Sequence, residues 1–151
     1  MLTLINKKDL YHLLSSRTPS ALNRAIQYNF KKKGINLTQE QSTIMGVLWN
    51  EDGLPQQALA DATYRDKPST TRIIDNLEKE GMVKRIPSPT DRRSNLIYLT
   101  SLGKELELPV IQAVNETLTY ATRGMKDDQI QLMKTMLQHV FNNLNSFLSN
   151  E

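Results

Sequence analysis

Two short stretches carry side chains able to hold a polyanion. Lys67-Pro68-Ser69-Thr70-Thr71-Arg72 gathers a lysine, three small hydroxyls and a guanidinium. Asp91-Arg92-Arg93-Ser94 sets two adjacent guanidiniums behind a carboxylate. A guanidinium fork matches phosphate oxygens or a guanine edge in bidentate fashion. Small hydroxyls let a backbone approach a duplex, and the N–H groups at a helix start favour phosphate. Asp91 is placed to pair with one of the two arginines and orient it. Residue types that would support catalysis are sparse. There is no cysteine, and the two histidines, His12 and His139, are far apart. No glycine-rich phosphate loop and no nucleophile–base set is evident. The expectation is a protein that is not an enzyme, with no metal site, no cofactor and no thiol redox sensing.

The elements that must position these residues follow from periodicity. Leu10, Leu13, Leu14, Ala21, Leu22, Ala25, Ile26 and Phe30 recur at helical spacing from about Lys8 to Lys33. Pro19 should kink or break that run unless it opens a second helical piece, and Gly34 stops it. Thr38 with Gln41 is a capping-box pattern ahead of a short helix carrying Ile44, Val47, Leu48 and Trp49. After the turn Glu51-Asp52-Gly53, Pro55 can open a helix to Thr63 with Ala58, Leu59 and Ala62 inward. Pro68 opens another helix through Glu80, with Ile73, Ile74 and Leu77 on its buried side. A short helix, a tight connection and a second helix is the helix-turn-helix arrangement, whose second member can enter a major groove.

Beyond Gly81 the period becomes two. Met82 to Ile86 and Asn95 to Thr100 read as strands of a hairpin, and Pro87 to Ser94 reads as its loop, with the arginines at the tip. There Arg92 and Arg93 could enter a minor groove, whose negative potential favours arginine. A long helix from Thr100 or Ser101 to Thr122, bent at Pro109, and a last helix carrying a near-heptad stripe complete the chain.

The chain has 151 residues, 38% apolar and 23% charged, and a net charge of +3. That suffices for one core and is too apolar for a disordered polyelectrolyte. The charge is uneven. Residues 1–37 carry a net +6, residues 38–54 a net −3, residues 55–100 a net +2 and residues 101–151 a net −2. A basic part beside a mildly acidic tail fits a polyanion on one side and another partner on the other. No apolar run could span a membrane, and Met1 to Lys8 lacks the pattern of a secretory leader. Together with the absence of cysteine, this makes the cytoplasm the expected location.

Several segments then resemble one family. These are Gln57-Ala58-Leu59-Ala60, the run Asp66-Lys67-Pro68-Ser69-Thr70-Thr71-Arg72-Ile73-Ile74-Asp75-Asn76-Leu77-Glu78-Lys79-Glu80-Gly81-Met82-Val83, then Pro89-Thr90-Asp91-Arg92-Arg93-Ser94 and Tyr98-Leu99-Thr100-Ser101-Leu102-Gly103. In combination they resemble the MarR family of bacterial transcriptional regulators. The resemblance implies a mainly α fold with a small β-hairpin wing (α+β). A winged helix-turn-helix at 38–100 would lie between N- and C-terminal dimerisation helices at 1–37 and 101–151. It implies a homodimer on palindromic duplex DNA, usually a repressor. Ser69, Thr70 and Arg72 would fall on the recognition helix, and Arg92 and Arg93 on the wing. Leu10, Leu13, Leu14, Val140, Phe141, Leu144, Phe147 and Leu148 are the candidates for the dimer interface. Family members often release DNA on binding a small aromatic anion, and a cleft for it is expected near Tyr11, His12, Arg17 or Trp49. Pro55 departs from the family, which often places a Ser or Thr cap there. A winged protein-interaction module without specific DNA binding is the alternative, and it would show an apolar patch where the arginines stand.

Overall fold

The computed structural model describes residues 7–149, so the leader reading of Met1 to Lys8 lies almost wholly outside the described residues. Contacts divide the chain into two compact units, one ending at Thr117 and one starting at Leu118.

In the first unit, α1 (Lys7–His12) runs through a widened π-helical turn (Leu13–Arg17) into α2 (Thr18–Lys32). Pro19 causes no break. It lies in the first turn of α2, where its missing N–H has no α-helical partner to lose. Within the wide turn Ser15 Oγ donates to the Tyr11 carbonyl (2.7 Å) and Ser16 Oγ to that of His12 (3.0 Å). Phe30 near the end of α2, then Ile35 and Leu37, enter the core.

Helix α3 (Gln39–Asn50) opens on the capping box expected from sequence. The Gln41 N–H donates to Thr38 Oγ1 at 3.1 Å, and the Thr38 N–H donates to Gln41 Oε1 at 2.9 Å. Asp52 and Gly53 turn the chain into β1 (Leu54–Pro55). At Gly53, φ is +73°, a conformation that favours glycine, and an added Cβ would sit 2.6 Å from the Tyr98 ring. Helix α4 (Gln56–Ala62) buries Leu59 and Ala60. Ala62, expected inward, is exposed, because a helix of under two turns turns only one side to the core. Helix α5 (Lys67–Lys79) buries Thr70, Ile73, Ile74 and Leu77, the i, i+3, i+4, i+7 spacing of one helix face.

Strands β2 (Val83–Pro87) and β3 (Asn95–Leu99) form the hairpin. With β1 they make an antiparallel sheet of order β1-β3-β2, pairing Leu54 with Ile97 and Val83 with Leu99. The third strand was not legible, since two residues show no alternation. Pro87, expected in the loop, ends β2 opposite Asn95. β2 is an edge strand, where a residue without an N–H is tolerated.

The single bent helix expected after Thr100 is two helices, α6 (Ser101–Glu105) and α7 (Glu107–Ala121). Pro109 cannot donate to the carbonyl four residues back and its ring crowds that group, so the chain restarts at Glu107 with Pro109 in the new first turn. Thr100 caps α6, its Oγ1 accepting from the Gly103 N–H at 3.1 Å. A Cβ at Gly103 would stand 2.2 Å from the Met82 carbonyl oxygen, so glycine lets α6 close against the start of the hairpin. Phe30, Ile44, Leu48, Leu59, Ile74, Leu77, Ile97, Val110 and Ala113 share one core cluster. Helices α2 and α7 therefore pack into the same core as α3 to β3.

The second unit holds the end of α7 and α8 (Asp127–Ser149), with Asp127 and Asp128 at the positive end of α8. None of α8's side chains is buried. Among the described residues no helix is long and apolar enough to cross a membrane.

Candidate nucleic-acid interface

Helix α5 starts where it does because Asp66 caps it. Asp66 Oδ1 accepts the Ser69 N–H at 2.8 Å, and Pro68 in the first turn removes an N–H that needs no helical partner. The Ser69 backbone N–H first, then its hydroxyl, holds the Asp66 carboxyl below its ordinary value of 3.8. Asp followed by Lys-Pro-Ser was the available signal for this cap.

The cap sorts the candidate residues. Lys67, Pro68, Thr71 and Arg72 line one shallow groove along α5, joined by Asp75 and Asn76. Ser69 is half-buried and engaged with Asp66. Thr70 is fully buried, with its hydroxyl donating to the Asp66 carbonyl at 2.9 Å. Thr70 thus stands apart from the open face, because its position is in phase with Ile73, Ile74 and Leu77. Thr71 Oγ1 donates to the Lys67 carbonyl (3.0 Å) and accepts from Gln56 Nε2 at the start of α4.

Arg72 is 64% exposed and lies 3.4 Å from Glu40 Oε2 on α3. The other oxygen of Glu40 faces Arg65 Nη1 at 3.5 Å. Arg65, on the connection after Tyr64, also donates to Thr43 Oγ1 at 3.3 Å. Tyr64 itself adopts φ +53°, the left-handed conformation that closes the turn between α4 and α5. Neither Glu40 nor Arg65 was singled out from sequence, since their partners lie 25 and 32 residues away and no local pattern joins them.

The wing tip departs from its expected detail. Asp91 Oδ1 accepts the backbone N–H of Arg93 at 2.9 Å, and the Asp91 carbonyl accepts that of Ser94 at 3.1 Å. Asp91 therefore builds the turn, and among the described residues it forms no ion pair with Arg92 or Arg93. A carboxylate two residues ahead of an N–H closes an Asx turn more readily than it reaches a long, solvated guanidinium. Arg92 and Arg93 are exposed and have no carboxylate partner among the described residues. Ser94 is half-buried, and its carbonyl accepts from the Ser88 N–H at 2.9 Å.

The base of the wing is fastened to α5. Arg85 on β2 donates to Asp75 Oδ1 (2.5 Å) and to Glu78 Oε1 (2.8 Å), and its backbone N–H reaches Glu78 Oε2 at 3.2 Å. With its side chain only 19% exposed, Arg85 joins β2 to α5 through two carboxylates.

Away from this face, α3 and α7 flank a cleft of about 490 Å³, within the size range of small-molecule sites. Its apolar wall is Trp49, Val110, Ile111 and Val114, and Glu107 is its one ionisable lining residue. The Trp49 indole N–H is already committed to the Gly103 carbonyl at 2.9 Å. Of the expected cleft residues only Trp49 lines it. Tyr11, His12 and Arg17 lie elsewhere on α1 and the wide turn, where the rings of Tyr11 and His12 meet edge to face.

Comparison with known proteins gives a consistent picture. The profile of the MarR family matches residues 37–94. The chain is 30% identical over 102 residues to the HTH-type transcriptional regulator FarR of Neisseria gonorrhoeae, covering 68% of this chain and 70% of that protein. It is 37% identical over 71 residues to a putative transcriptional regulatory protein for the hcr operon of Thauera aromatica. That match covers 47% of this chain and 43% of the relative, so the chain spans less than half of that relative's length. The fold superposes with a TM-score of 0.81 on a mutant MarR from Escherichia coli complexed with operator DNA, at 21% identity and covering 91% and 98% of the two chains.

Proposed function

Because the chain belongs to the MarR family of transcriptional regulators, we propose that two copies of it bind a palindromic operator on duplex DNA and repress the adjoining promoter. The observation that carries this reading is the state of the cations. Arg92 and Arg93 stand exposed at the wing tip with no carboxylate partner among the described residues, and Lys67 and Arg72 line an open groove on α5. Helix α5 would enter the major groove, and the wing arginines would meet the adjacent minor groove or its phosphates. Lys67, Pro68, Ser69, Thr71 and Arg72 are the proposed contacts from the helix, and Arg92, Arg93 and Ser94 those from the wing. Leu10, Leu13, Leu14, Val140, Phe141, Leu144, Phe147 and Leu148 are all exposed in the single chain. They are the proposed interface between copies, with 1–37 and 101–151 as the dimerising parts and 38–100 as the reading part. Two half-sites would then lie about one helical turn apart, roughly 10 bp.

The cleft between α3 and α7 is the proposed effector site. Its apolar wall suits an aromatic body. The Glu107 carboxylate favours a neutral or cationic effector over the anion expected from the resemblance, since a like charge at the wall opposes binding. Selection of bound duplexes from a random library with the purified protein tests the central reading. An enriched palindrome is expected, and a library that shows no enrichment would overturn it.

A further inference from the structure

We propose that Glu40 is a specificity-setting residue of the interface, holding Arg72 so that it discriminates between base sequences instead of clasping any phosphate. This rests on the duplex-reading role proposed above. The Glu40 carboxylate is shared. Oε1 faces Arg65, whose side chain is only 23% exposed and whose Nε is buried with no partner, and Oε2 faces the open Arg72. The Arg65 contact is no shorter, at 3.5 Å, but its guanidinium is the less solvated of the two and is also tied to Thr43, so it is the steadier neighbour of the carboxylate. The Arg72 side is a long, solvated contact of 3.4 Å, too weak to lock the guanidinium in place. Its effect is electrostatic selection. A phosphate approaching Arg72 also approaches the Glu40 charge and is repelled by it. A guanine edge carries no net charge, only the partial charges of its acceptors, and meets a smaller penalty. A guanidinium has five donors, so it can keep one on Glu40 while offering others to a base edge. The carboxylate therefore lowers the gain from non-specific contact more than that from the specific one.

The test compares the wild-type chain, Glu40→Gln and Glu40→Asp on two probes: a duplex selected by the wild-type protein and a random-sequence duplex of equal length. Glu40→Gln keeps the shape and removes the charge. It is expected to tighten random-duplex binding, to steepen its salt dependence by about one unit and to cut the ratio of specific to random affinity on the order of tenfold. Glu40→Asp, which keeps the charge, is expected to restore most of the ratio. A Glu40 that only supports the fold would lower the melting temperature in both variants and leave the ratio unchanged, and that result overturns the proposal. Wild-type protein that binds all duplexes equally also overturns it while leaving DNA binding intact. Wild-type protein that binds no duplex removes the reading it rests on, and the inference with it.

Discussion

Helix α5 spans 13 residues and buries four side chains within its own chain, whereas α8 spans 23 and buries none. Both carry apolar residues at helical spacing. On α5 they meet α3, α4 and β2, so one copy of the protein satisfies the helix and leaves its polar side open. On α8 they stay exposed along Leu132, Met136, Leu137, Leu144 and Leu148. Exposed apolar residues at this density mark the helix as the candidate contact between copies proposed above. The contrast separates a helix that one copy of the chain buries from a helix that one copy leaves exposed, the one proposed above to join two copies.

The sharpest way to break that contrast is Leu144→Asp with Leu148→Asp. If α8 joins two copies, the double variant sediments as a monomer. Operator affinity then falls by about 10²- to 10⁴-fold, the gain that linked half-sites provide. Leu77→Ala probes the other helix. It should lower unfolding free energy by about 2–5 kcal/mol in a denaturant titration, with a loss independent of protein concentration, whereas melting governed by α8 shifts with concentration. Replacing both Arg92 and Arg93 with Ala should remove tight operator binding without changing the melting temperature. The slope of log affinity against log salt should shrink by about two units. Arg72→Ala should cost about 1–3 kcal/mol on the selected site and much less on random duplex if Arg72 reads a base.

The smallest effect expected is that of Asp66→Asn, which weakens the cap of α5. The folded Asp66 carboxyl titrates below its ordinary value, so its contribution is present at neutral pH and is lost as pH falls through the folded value. The difference in melting temperature between variant and wild type should therefore be visible at pH 7 and close in strong acid.

The order of elements was legible because each begins or ends on a local signal: the Thr38–Gln41 box, Pro68, Gly81 and Thr100. The edges of the reading failed where the deciding contact was distant or the element was short. β1 is too brief to alternate. The break between α6 and α7 depends on where a proline falls within a turn. At the candidate site, residue type pointed to α5 and the wing, but phase decided which residues reach the surface, and it took Thr70 into the core. Glu40, Arg65 and Arg85 were silent in sequence because their roles come from charges on separate elements brought together by folding.

The wide turn at Leu13–Arg17 has a consequence for how the first helix addresses its neighbours. Each additional residue accommodated in a helix advances its angular phase by about 100°. Leu10 ahead of that insertion, with Leu13 and Leu14 at its start, is thereby released from alignment with Leu22, Ile26 and Phe30 behind it. One continuous rod can then turn its rear half inward and aim its front half in an independent direction, with Ser15 and Ser16 stitching the slip.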